Sequence, residues 1–209
     1  DLRRFDPNFR RLWEQVQAGA IGEVEMVTIL SRDPGAPPVD YIRVSGGLYR
    51  DMMIHDFDIA RWLVGEDFTA VQAMGSVMVD PAIGEAGDVD TAVVTLSTDS
   101  GKLVNISNSR RASYGYDQRI EVHGSEGMLQ ADNVLESSVV LSSAAGVIAD
   151  KPMHFFLERY AAAYRAEWDA FVRLVLDGES AGIPNQHDGL ASLRLADAAT
   201  RQVRPAGQS

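Results

Sequence analysis

Between residues 70 and 143 the chain is cut by turn signals into short β-prone stretches, and this run limits the possible folds more than any other feature. Ala70–Val79, Thr91–Thr98, Lys102–Ser109, Gln118–His123, Met128–Ala131 and Ser138–Ser143 each read as a strand. Asp99-Ser100-Gly101 and Ser125-Glu126-Gly127 are tight-turn sequences, so the strands on either side of them are expected to pair as antiparallel hairpins. An earlier strand is expected over Glu23–Ser31, with Val24, Met26, Thr28 and Leu30 on one face. Helical patterns bracket the run on both sides. Strands in series with helices before and after them define an α+β domain: one mostly antiparallel open sheet with helices packed on one face. The other face must meet water or another subunit, and the consecutive apolar residues Ala92, Val93 and Val94 favour a subunit.

The first helix has a clear start, with Asp6 as cap, Pro7 in the first turn, and Phe9, Leu12, Trp13 and Val16 at helical spacing before Gly19. A second helix is expected from Leu48 to Val64, closed by Gly65. Between them, Arg32–Gly47 is a proline- and glycine-rich loop, longer than a passive connection needs. A long amphipathic helix covers Phe155–Asp177, with Tyr160, Tyr164, Trp168, Phe171 and Val175 near one face and read as core. A last helix spans Gly189–Val203.

Composition narrows the function classes. No stretch approaches the ~20 apolar residues of a membrane span. A formal charge of −11 argues against nucleic acid or an anionic membrane as partner, since both require a basic face. With no cysteine, the chain has no disulfide, thiolate metal site or cysteine nucleophile; this suits a reducing cytoplasm, which is the expected location.

The segment Gly46–Gly65, GGLYRDMMIHDFDIARWLVG, carries the chemistry. At ~100° per residue an unbroken helix places Asp51, His55, Asp58 and Trp62 on one stripe, opposite an apolar face of Met52, Ile59, Leu63, Ala60 and Val64. Three readings fit the stripe. It is a solvated face with pairing one turn apart; or a divalent-metal site of Asp51, His55 and Asp58; or a general acid/base site, where a carboxylate one turn from the imidazole fixes its tautomer and raises its basicity. Downstream, Ser113-Tyr114-Gly115-Tyr116-Asp117 follows a strand, a position suited either to turn packing or to ligand contacts.

Five blocks in order then resemble one family. Arg3–Phe9 (RRFDPNF), Ser31–Pro34 (SRDP), the helix just described, SRRASYGYDQRIEVHGSEGML and FFLERYAAAYRAEWDAF are similar to the C-terminal domain of Gfo/Idh/MocA oxidoreductases, in the inositol branch. The resemblance implies oxidation of a ring hydroxyl of inositol, or a close cyclic polyol, to the ketone, with NAD as acceptor and NADP as the alternative. Within it, His55 matches the histidine that removes the hydroxyl proton and Asp51 the aspartate that works with it. Asp58, Tyr116, Asp33 and Arg3 fall at or beside positions that contact the polyol, and no metal is implied.

No G-x-G-x-x-G follows a strand, so the dinucleotide is expected to bind mainly to a Rossmann domain missing from this chain. Residues 1–22 then read as a linker helix left from that domain, with its apolar side exposed, and 23–209 as the substrate-binding and oligomerisation domain. The resemblance further implies a homo-oligomer, tetramer or dimer, joined through the sheet face, and a chain that is inactive alone. The alternatives are another sugar or polyol dehydrogenase of the same family, or a non-catalytic binding or assembly module.

Overall fold

A computed structural model describes residues 1–180 and 182–203. After a 3-10 turn at Leu2–Phe5, the chain forms α1 (Pro7–Gln17), β1 (Val24–Arg32), α2 (Val39–Ser45), α3 (Leu48–Asp51), α4 (Met53–Val64), β2 (Phe68–Ser76) and α5 (Pro81–Glu85). Strands β3 (Thr91–Thr98), β4 (Leu103–Ser109), β5 (Asp117–Gly124) and β6 (Gly127–Ala131) follow, then the separate hairpin β7 (Val140–Ser143) and β8 (Gly146–Ala149). The chain closes with α6 (Phe156–Arg159), α7 (Ala161–Asp177) and α8 (Gln186–Gln202).

The main sheet has six strands in the order β2-β3-β4-β1-β5-β6. Every neighbouring pair is antiparallel except β1 with β4, which run parallel. The α+β architecture expected from the sequence is the one observed. Registered side chains cross the inner face in rungs. Val94, Ile106, Ile29, Ile120 and Ala131 form one of them, all buried. Nearer the carboxyl ends of β1 and β4 the rung is polar: Asn108, Ser31 and Gln118 lie side by side, each about 1% exposed. Polar groups that deep need partners, and helix α4 supplies one.

Strand β1 buries Val27, Ile29 and Ser31, while Met26, Thr28 and Leu30 face outward. Val24 is also buried, although the alternation puts it with the outward set. An irregularity in pairing between Val24 and Met26 shifts the phase by one residue, and a bulge of this kind flips every side chain beyond it.

The helix expected over Leu48–Val64 is two helices. The chain breaks at Met52, with φ −110° and ψ −56°, between α3 and α4. Gly46 and Gly47, at φ 91° and 86°, make the turn from α2 into α3 in a region that disfavours other residues.

Helix α1 is not exposed along its apolar side, contrary to the linker expectation. Phe9 and Leu12 are buried and Trp13 stacks on Trp62 at 5.2 Å, so hydrophobic burial docks this helix on the domain's own core. Conversely, Trp168, Phe171 and Val175 are not core. They stand half or more exposed on α7, where Trp168 and Phe171 line a groove of roughly 420 Å³ with Asp1, Phe5 and Tyr164.

Candidate active site

The opening segment Asp1–Asp6 is fastened by its charged residues to the helices behind it. His55 Nδ1 lies 2.8 Å from Asp1 Oδ2, and Arg3 Nη1 donates to Asp56 at 2.6 Å. Arg4 donates Nε and Nη2 to the two oxygens of Asp58, at 2.7 and 2.6 Å. Asp6 caps α1 through Asn8 N and Phe9 N and takes the guanidinium of Arg159. The sequence H-D-x-D on α4 thus clasps D-x-R-R on the opening turn.

The break at Met52 rearranges the stripe expected along one helix. Asp51, on α3, does not pair with His55. Its Oδ1 accepts from the Tyr41 hydroxyl at 2.6 Å and its Oδ2 from Arg110 Nη2 at 2.8 Å. The carboxylate that holds the imidazole is Asp1. A carboxylate only accepts, so Nδ1 carries the proton and Nε2 presents the lone pair. Asp58 sits 3% exposed with both oxygens on Arg4, which corrects its reading as a hydroxyl contact: its hydrogen-bonding capacity faces inward. The metal reading required Asp51, His55 and Asp58 to converge; among the described residues no group of three or more such side chains does so.

What converges instead is a two-layered cluster. In the upper layer the side chains of Asp33, Asp51 and His55 are 21, 17 and 40% exposed. Below them Arg3, Asp56, Arg110 and Tyr116 are buried. Asp56 accepts from Arg3, from Ser31 Oγ at 2.6 Å and from Asn108 Nδ2 at 2.9 Å, which satisfies part of the polar rung. Arg3 also lies over the Tyr160 ring, with Nη2 3.5 Å from Tyr116 Oη. Arg110 bonds Asp51 and approaches Asp33 at 3.8 Å. Arg3 and Tyr116 therefore form the floor of the site.

Burial pushes the Asp33 carboxyl up to about 6, against the pull of Arg110 and Arg3 and with Asp51 and Asp56 adding to the rise. The His55 imidazole is pushed down to about 4, first by burial and then by Arg3, while Asp56 and Asp51 oppose the fall. At neutral pH this histidine is uncharged, the form that accepts a proton.

The raised Asp33 value has a consequence for stability. The folded chain holds this proton more tightly than the unfolded one, so the contribution is present below the ordinary carboxylate range and is lost as pH rises through about 6. Asp33→Asn should therefore match the wild type near pH 3.5 and be more stable at pH 7, by about 1–3 kcal/mol. Urea unfolding at the two pH values checks this; equal differences at both would refute it.

Asp1, Tyr41, Asp56 and Arg110 were not legible as site residues from helical spacing. Arg110 had one signal, its place at the end of the strand that leads into the SYGYD loop; Asp56, beside His55, points to the core side of the stripe.

The fold and this cluster define an α+β domain with a histidine and carboxylates gathered above two buried arginines. Residues 9–130 match the model of the GFO/IDH/MocA C-terminal domain, and the chain belongs to that family. It is 54% identical over 202 residues to the inositol 2-dehydrogenase of Rhizobium meliloti, covering 96% of this chain and 61% of that protein. A probable dehydrogenase from Thermotoga maritima superposes with a TM-score of 0.93 at 52% identity, over 97% of this chain and 61% of that one. A scyllo-inositol dehydrogenase from Lactobacillus casei, solved with NAD(H) and scyllo-inositol bound, gives 0.86 at 31% identity, over 97% and 61%. The chain thus spans about three fifths of the length of these relatives.

Proposed function

We propose that this chain supplies the polyol-holding and proton-accepting half of an NAD-dependent inositol dehydrogenase. The observation that carries this reading is the upper layer: a partly exposed imidazole held at Nδ1 by Asp1, beside two carboxylates steadied by one buried arginine. A ring polyol is uncharged and rich in hydroxyls, and carboxylates accept strong charge-assisted hydrogen bonds from them. Asp33 and Asp51 hold hydroxyls, and His55 Nε2 takes the proton from the hydroxyl being oxidised. The imidazolium so formed faces Asp1 directly and the charge of Asp51 through space. Arg3, Tyr116 and Asp58 support the site from below; Asp58 does so by fixing Arg4.

Three helix starts are already occupied by carboxylates. Leu48 N–H, at the one helix start that follows a Gly-Gly pair, donates to both oxygens of Asp88 at 3.1 Å, and a phosphate there would meet a carboxylate. Helices α1 and α5 are likewise capped by Asp6 and Asp80, with prolines in their first turns. These three helix starts do not fit a pyrophosphate. In this proposal NAD is bound by residues outside 1–209 and would supply the hydride acceptor. A cytoplasmic location belongs to the same proposal.

The test is reduction of NAD by the full-length protein on addition of myo-inositol. Formation of reduced nicotinamide together with the ketone supports the reading, and no turnover with any cyclic polyol sinks it.

The assembly follows the outer face. Leu103, Met26, His123 and Met128 form one registered rung there, each about half exposed. Packed against a second copy, such rungs make the dimer or tetramer interface. Analytical ultracentrifugation should find an oligomer that Met26→Glu with Leu103→Glu dissociates; a wild-type monomer at high concentration is the contrary result.

A further inference from the structure

His55 and Asp56 are adjacent on α4, yet they look in different directions. The histidine reaches the surface, and the aspartate enters the core, 1% exposed. Asp56 Oδ1 accepts from Arg3 Nη1 and Ser31 Oγ, both at 2.6 Å, and Oδ2 accepts from Asn108 at 2.9 Å. The Arg3 guanidinium it receives is itself buried and belongs to the turn that presents Asp1 to His55. In that turn Arg3 N donates to Asp1 Oδ1 at 2.9 Å, and Asp1 Oδ2 meets the imidazole. One short segment therefore carries both a positive charge beneath the ring and the carboxylate that orients it, and Asp56 binds the segment at that charge.

We propose that Asp56 is a positioning residue for the proton-accepting imidazole: its buried ion pair with Arg3 seats the turn that holds Asp1 on His55 and cancels the arginine's charge beneath the ring. This rests on the reading of His55 as the base. A buried pair stripped of one partner leaves a strong uncompensated field, because little water remains to screen it. The groups facing His55 are Asp1 and Arg3 from the opening turn, Asp51 from α3, and Asp56 on its own helix. Of these, Arg3 disfavours the imidazolium, while Asp56 and Asp51 favour it.

The signature is a pair of opposite shifts, which a merely structural role does not produce. In the 209-residue chain, with histidine labelled for NMR and the His55 signal assigned through His55→Ala, the titration midpoint is read directly. Arg3→Gln should raise it by about one unit, and Asp56→Asn should lower it so far that the ring stays neutral to the acid limit of folding. The double variant restores balance and should return the midpoint to within about 0.5 unit of wild type. If Asp56→Asn alone does not fold, the rise in Arg3→Gln and the return in the double variant carry the test. Shifts of the same sign, or none in Arg3→Gln, overturn the proposal. Failure of the base reading shows separately: the NMR shifts then appear, but the acid limb of kcat/KM in the full-length enzyme does not follow them.

Discussion

His55→Ala in the full-length protein should lower turnover on myo-inositol by ~10²–10⁴-fold, the range for loss of a positioned proton acceptor. Affinity for NAD should change little, because in the proposed function the dinucleotide is held by residues outside 1–209. The side chain is 40% exposed and holds one hydrogen bond, to Asp1, so its loss leaves the core intact. A fall in kcat and kcat/KM together, with unchanged melting temperature, is the pattern of a group used in the transition state. A variant that keeps near wild-type turnover would remove His55 from the mechanism.

The second large effect is on stability. Asp6 is 1% exposed, caps α1 through two backbone N–H groups and pairs with Arg159, itself buried over the rings of Phe9 and Tyr160. Asp6→Ala removes the cap, at a cost of ~1 kcal/mol, and strands a buried guanidinium, which typically costs ~3–5 kcal/mol. That is a large share of a total of roughly 5–15 kcal/mol for a domain. Denaturant unfolding should show the loss, and Asp6→Asn, which keeps the cap oxygen, should lose less. A loss under about 1 kcal/mol in Asp6→Ala would mean that Arg159 finds water once released.

The central strands were readable because β3, β4 and β5 alternate against one buried face and turn residues mark the ends, as at Asp99-Ser100-Gly101. Helix α4 was readable through its apolar side and Gly65. The arrangement of the site was less so, for a specific reason. Projection on one helix assumes constant rotation, and the backbone at Met52 interrupts it, so Asp51 turns to Arg110 and Tyr41 while His55 turns to Asp1. These partners lie tens of residues away in sequence, and no local periodicity encodes them. Asp58 illustrates the same limit: its helical position was right, but Arg4 had already taken it. The exposed row of Trp168, Phe171 and Val175 shows that amphipathic spacing marks an apolar face without saying what covers it.

The central claim is that His55 accepts the substrate proton, and the pH dependence of kcat/KM in the full-length protein tests it most directly. The imidazole must be neutral to act, so activity should hold as pH falls and then be lost through the titration of His55, which burial and Arg3 hold below the ordinary imidazole value. The limb should coincide with the NMR midpoint of the ring, move up with it in Arg3→Gln, and disappear from the residual activity of His55→Ala. An acid limb that persists unchanged in His55→Ala would contradict the account.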